Sequence, residues 1–308
     1  MTPPHVTRPN RTRLALVLLL LAFLTGEPTE AAEVQRYELQ ASVDPARRHV
    51  SVSARVSLKT SAEESMLSFG LHETFRIAEC LVDGAPARCV REEPAGPGAA
   101  WGGREVSVDL PAAGGRDVVV LEIRYDGVIE NRPGWGQPEA EGPFMDDSAG
   151  PDRVELALYS NWYPVFGFGP TFDVSLDLEL PRGWAVTGIG QETERTETEE
   201  ATRTLWEARD VNDVVVVASP RLRSRDVSTS VGTVRFSHTR LPDDFLLRIG
   251  REAEQTLLLF SRLLGPTGGG GTLQHVYSPR DWGQGFARPG MIIVSEGWVL
   301  RALSLIHI

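Results

Sequence analysis

Lysine is nearly absent from this chain: Lys59 is the only one among 31 basic residues. The bias toward arginine is that of a GC-rich, bacterial-type coding sequence and carries no functional information. Cysteine is as scarce, with Cys80 and Cys89 alone, and two thiols cannot complete a four-ligand zinc site. The six histidines, His5, His49, His72, His238, His275 and His307, include no pair four residues apart. That excludes H-E-x-x-H from this sequence, the spacing that sets two imidazoles on one helix face with a glutamate as general base. G-x-S-x-G is absent too, so the chain offers no catalytic residues and no metal ligands of its own. Positive charge is in deficit, 31 Lys and Arg against 42 Asp and Glu, for a net charge of −11. Such a chain repels phosphate backbones, which argues against nucleic acid and against a basic membrane-surface module.

Long apolar runs are missing after residue 24, and nothing there approaches the roughly 20 residues of a spanning helix. Before it, residues 1–31 have the layout of a secretory signal peptide. Arg8, Arg11 and Arg13 form the charged start, Leu14–Leu24 the apolar run, and Thr29-Glu30-Ala31 a cleavage site with small residues at its ends. The expectation is an exported protein, periplasmic or extracellular, with no transmembrane segment once the signal is cleaved; an uncleaved N-terminal anchor is the other reading. Export gives the two cysteines meaning. Cys80 and Cys89 flank Asp83-Gly84, a hairpin turn signal, so they form either a disulfide in an oxidising compartment or two buried thiols.

What is abundant is short alternating segments. Tyr37–Val43 and Val50–Leu58 alternate apolar and polar residues, the second placing Val50, Val52, Ala54, Val56 and Leu58 on one face. Met66–Phe69, Phe75–Val82, Ala87–Arg91, Glu105–Leu110 and Val118–Tyr125 read as further strands, divided by Gly/Pro/Ala-rich breaks at Glu92–Gly103 and Pro111–Arg116. Gly127–Pro151 is a long Gly/Pro-rich aromatic loop. Thr171–Leu180, Ala185–Gly190, Thr204–Ala208 and Val214–Ser219 resume the strands. The pattern predicts an all-β sandwich or saddle over residues 32–240. The acidic run Gln191–Ala201 reads as a solvated hairpin rather than a calcium loop, since no glycine-punctuated ligand loop is present.

From Leu241 the period changes. Leu246, Ile249, Ala253, Leu257, Phe260 and Leu264 recur at three and four, which predicts a helix over Pro242–Leu264. Asp243 and Asp244 complement its N-terminal dipole and Gly265-Pro266 ends it. Thr272–Ser278 reads as a strand, Asp281–Gly290 as a loop, and Met291–Ser295 as a buried strand.

Taken in order, Trp162–Pro164, Phe172–Val174, Pro181–Trp184, Ala218-Ser219, Leu263–Pro266 and Gly285–Met291 resemble the aminopeptidase-N-like zinc metallopeptidases (gluzincins). In that family the matching texts are W-x-P or Q-x-E-P, F-D-V, P-x-G-W, A-S, F-G-x-x-P and G-A-M-E-N-P-G. The resemblance covers roughly residues 35–300 and rests on colinearity. It implies a mostly β architecture: an N-terminal β domain followed, over residues 241–302, by the truncated start of an α/β thermolysin-like catalytic domain. It further implies zinc in the full-length protein, none bound by this part, and a peptide or protein as substrate.

The substrate-binding residues it implies are Tyr163, Gly285, Phe286, Ala287, Arg288, Pro289 and Gly290. Two of these depart from the family. Ala287 stands where the family has the glutamate that binds a substrate's free amino group, and Ser160–Pro164 lacks the second acid, with Tyr163 in its place. The resemblance therefore points away from strict aminopeptidase selectivity. Arg288, beside the gap, reads either as a group that attracts a carboxylate or as a solvated loop residue. A non-catalytic secreted β-sandwich binding protein, or a pseudo-peptidase, is the competing class. The last six residues, 303–308, match what one reading frame of a common transposase adapter encodes, which puts the expected end of the genuine chain near Arg301 or Ala302.

Overall fold

The computed structural model describes residues 32–61, 64–91, 103–110, 117–129, 148–167, 170–265, 272–281 and 285–306. The expected signal peptide, the centre of the long Gly/Pro-rich loop, His5 and His307 lie outside them, and 32–308 forms one unit. Most of the described chain is strand. The largest sheet takes β1 (Glu33–Asp44), β2 (His49–Lys59), β4 (Arg76–Val82), β5 (Ala85–Pro86), β8 (Val118–Val128), β11 (Phe172–Pro181), β13 (Gln191–Glu197) and β14 (Ala201–Val211). Its order is β13-β14-β11-β1-β2-β8-β4-β5. β1 and β11 run parallel at its centre, with Tyr37 opposite Val174 and Leu39 opposite Leu176, and join two antiparallel halves.

The alternation of β2 is the burial pattern itself: Val50, Val52, Ala54, Val56 and Leu58 are all buried. On β1, Tyr37, Leu39, Ala41 and Val43 follow the same period, while Val34 is out of phase. A bulge between Val34 and Arg36 supplies the extra residue that turns Val34 inward as well.

Two smaller sheets share this core. One is β3 (Met66–His72), β7 (Gly103–Asp109) and β6 (Cys89–Arg91), in the order β3-β7-β6; the other is β12 (Ala185–Gly188), β15 (Val216–Ser219), β10 (Arg153–Leu156) and β9 (Ser148–Gly150), in that order. Trp162 is fully buried and donates its indole N–H to the Val214 carbonyl at 3.0 Å. Asp83 and Gly84 both take positive φ, 51° and 76°, in the two-residue turn from β4 to β5. A disulfide joins Cys80 to Cys89 across it, nine residues apart in sequence. For so short a closed loop, reduction is expected to cost about 2.5 kcal/mol of stability. Denaturation midpoints with and without reductant measure this.

A five-stranded sheet starts ahead of the expected boundary at residue 240. β16 (Arg223–Thr229) and β17 (Gly232–His238) form a hairpin that pairs onward to β18 (Thr272–Ser278), β20 (Met291–Ser295) and β19 (Phe286–Arg288), in the order β16-β17-β18-β20-β19. β17, β18 and β20 are parallel, and β19 is an antiparallel edge. The helix α1 (Asp243–Leu264) makes the crossover from β17 to β18, and Pro242 precedes its first turn. Phe245, Leu246, Ile249 and Ala253 pack with Val234, Phe236 and Tyr277, while Leu259, Phe260 and Leu263 further along are exposed. Helix α2 (Glu296–Ile306) follows β20 directly and runs through Leu303. Phe286–Arg288, inside the expected loop, is strand, whereas the acidic run forms the exposed hairpin expected of it, β13 pairing with β14 across the turn from Thr198 to Ala201.

Candidate functional site

The β platform and the five-stranded sheet are joined by buried polar contacts, and the candidate residues lie on one of them. Gln274 on β18 accepts a hydrogen bond from Thr187 at 2.6 Å and donates to the carbonyls of Gly188 and Gly190 at 2.9 and 2.7 Å. Glu155 on β10 faces Arg280, just past β18, with Oε1 3.2 Å from Nη1 and both side chains wholly buried. Ser278 donates to the same carboxylate. The third contact is Asp213 with Arg288, Nε to Oδ2 at 2.7 Å, where Asp213 is fully buried and Arg288 10% exposed.

Asp213 is the centre of the candidate site. Its Oδ1 accepts from the Leu158 N–H at 2.8 Å and from the Tyr163 hydroxyl at 3.1 Å. Burial pushes its carboxyl above the ordinary range, although Arg288 and these hydrogen bonds pull the other way. Burial also works to lower the Arg288 guanidinium, but Asp213 and Tyr159 outweigh it and hold it above its ordinary value. The Tyr163 phenol is pushed up by burial first and by Asp213 second. The Arg288 guanidinium lies 4.8 Å from the Phe286 ring centre and 5.3 Å from that of Tyr159, a cation against a pair of aromatic rings that meet edge to face.

The predicted residues therefore meet across 125 positions of sequence: Tyr163 and Arg288 share one aspartate. Arg288 is a half-buried strand residue paired with Asp213 through its Nε. Gly285 enters β19 where a Cβ would stand 2.6 Å from the Ile293 carbonyl, so only glycine lets the chain approach β20 this closely. Phe286 is half-buried, Ala287 projects outward exposed, and Pro289-Gly290 makes the exposed turn into β20. Tyr163 is buried against Tyr37 and Trp162, edge to face. Sequence reasoning missed Asp213 and Tyr159. A lone acid opening the apolar run Val214–Ala218 was the available signal for the first.

Glu296, fully buried at the start of α2, accepts from the backbone N–H groups of Thr239 and Arg240 at 2.8 and 2.7 Å. It thereby ties the end of β20 to the turn that leads into α1. His275 on β18 lies against Tyr277 and Phe236, ring centres 4.7 and 5.5 Å away. Burial lowers its pKa from 6.5 to about 4. The unfolded chain then binds the extra proton, so this contribution is complete above pH 6.5 and is lost as pH falls toward 4. The expected loss is about 3 kcal/mol, and His275→Phe should flatten that part of the stability profile measured by urea unfolding.

Among the described residues no three of His, Cys, Asp and Glu come together as metal ligands. Among the described residues His49 is bonded to Asp126, His72 to Thr74, and His275 lies against Tyr277 and Phe236, so these three do not gather as a ligand set. No helix among the described residues is long and apolar enough to cross a membrane.

No protein-family model matches the sequence, and no curated protein matches it either. Solved structures do match by fold. The M1 zinc metallopeptidase of Deinococcus radiodurans aligns with TM-score 0.64 and 18% identity over 87% of this chain and 61% of that one. A glutamate-to-alanine mutant of it bound to a Tyr-Ser-Ala substrate aligns at 0.66 and 18%, with the same coverage. A two-domain M1 zinc metallopeptidase mutant bound to L-tryptophan aligns at 0.65 and 17%. At these identities the likeness is one of fold, and the chain spans about 61% of the length of those structures.

Proposed function

We propose that this chain is the N-terminal part of a secreted zinc-dependent metallopeptidase of the aminopeptidase-N-like group: a β platform and the first strands of the catalytic domain, forming one wall of a peptide cleft. The observation that supports this most is the placement of β19. It is an antiparallel edge strand whose outward residue, Ala287, is exposed, on a fold shared with peptide-hydrolysing enzymes. Edge strands accept extended peptides through backbone hydrogen bonds. The metal ligands and general base would come from the rest of the protein, and zinc when bound would supply the activated water. In place of a carboxylate for a substrate ammonium, the wall carries the Ala287 methyl group and an arginine already held by Asp213. Strict aminopeptidase selectivity is therefore not part of the proposal.

The test is the gene read past codon 302. It is expected to continue into H-E-x-x-H, and the full product to hydrolyse N-acylated peptides at least as well as peptides with a free amino terminus. A strong preference for free amino termini would overturn the selectivity. A continuing frame without the motif would overturn the peptidase reading and favour a secreted binding protein.

A further inference from the structure

Away from the cleft wall, two arginines lie side by side on the three-stranded sheet. Arg91 on β6 is directly opposite Val106 on β7, and Arg104 is two residues before Val106. Side chains two apart on a strand share a face, so Arg91 and Arg104 are diagonal neighbours on the core side, roughly 7–8 Å apart at Cα. Beneath them Val106 and Leu71, the latter opposite Arg104, are fully buried. Both arginines are half-buried.

Arg91 is held in place: its two Nη groups donate to the carbonyls of Glu73, at 2.8 Å, and Phe75. Arg104 has no such anchor, and its Nε is buried without a hydrogen-bond partner. Neither forms an ion pair with a described carboxylate. Other guanidinium groups on the sheets of this acidic chain do find one, as Arg203 does with Asp177 and Arg235 with Asp226. Two like charges over an apolar floor repel each other, and an unpaired buried N–H adds a desolvation penalty. Burial, and then the repulsion of Arg104, hold the Arg91 guanidinium below its ordinary value. A small oxyanion removes both costs: Arg104 presents a planar fork that matches two oxygens, and Arg91 keeps N–H groups beyond the two that hold the Glu73 and Phe75 carbonyls.

We propose that Arg91 and Arg104 form a binding site for a single oxyanion of phosphate or sulfate size on the face of the three-stranded sheet. The site is independent of the peptidase reading and stands or falls without it.

The experiment is calorimetric titration of the full chain with inorganic phosphate, at ionic strength held constant with chloride. The wild type is expected to bind one phosphate saturably and to melt at higher temperature with it. Arg104→Gln removes the charge without removing a hydrogen bond from the fold, and it is expected to weaken binding at least tenfold. Arg104→Lys keeps the charge but loses the fork, and should fall between. Equal affinity in wild type and Arg104→Gln would overturn the assignment, as would absence of saturable binding. Glu92 and Glu93 follow Arg91 in sequence. If the wild type binds phosphate only after Glu92→Gln and Glu93→Gln are made together, the counter-ions are internal and the proposal fails.

Discussion

Asp213→Ala is expected to lower the free energy of unfolding by about 3–5 kcal/mol, the usual result of removing one partner from a buried ion pair. Three donors lose their acceptor at once: the Arg288 guanidinium, the Tyr163 hydroxyl and the Leu158 N–H. Arg288 cannot escape by giving up its proton, since guanidinium stays charged in proteins, and with its side chain only 10% exposed it gains little water in exchange. Arg288→Met should do less harm. The aspartate left behind can take up a proton, and burial already pushes its carboxyl upward.

That asymmetry has a pH signature. In Arg288→Met the folded state holds a proton that the unfolded state releases near pH 3.8. Stability of this variant should therefore decline as pH rises from that value through the raised folded pKa, relative to wild type. Urea unfolding of the two single variants and the double variant across pH measures the coupling. A loss of under about 1 kcal/mol in Asp213→Ala, the level of an exposed pair, would show that the pair is solvated and that β19 is held by its ladder with β20 alone.

The second large effect concerns Glu155 and Arg280. Arg280→Met is expected to cost about 3–5 kcal/mol, because it leaves a wholly buried carboxylate with only Ser278 as a donor. Glu155→Leu combined with Arg280→Met should recover most of that loss and finish within about 1 kcal/mol of wild type or above it, since apolar replacement of a buried pair is often neutral or stabilising. The backbone on either side should be little affected: the Arg280 carbonyl still accepts from Ser295 and from the Gly297 N–H. A double variant as unstable as the single one would show that the pair specifies how β10 and β18 meet, beyond neutralising charge.

Much of the β platform was legible in order. Val50–Leu58 and Thr171–Leu180 alternate because one face of each strand meets the core and the other meets water, and burial follows the same period. The helix was legible for the same reason, down to Gly265 at its end. Three elements were not. Arg223–Thr229 is an exposed edge strand with hardly an apolar residue to mark it. Phe286–Arg288 has three residues and is strand only because β20 lies beside it. Glu296–Ile306 begins immediately after a strand, and Ser295, whose Oγ accepts from the Trp298 N–H, is at once the strand's last residue and the helix cap.

The sequence by itself determined the strand periods, the helix, the Asp83-Gly84 turn and the absence of H-E-x-x-H from these residues, because each depends on neighbours a few positions away. Only the tertiary structure decided what the charges do. Arg288 could be read as solvent-facing or ligand-facing until the fold brought Asp213, 75 residues earlier, to within 2.7 Å of it. Glu155 and Arg280, 125 residues apart, became a buried pair in the same way. Periodicity is a local record of burial, whereas the partner of a buried charge is set by how distant strands pack, and no spacing along the chain encodes it.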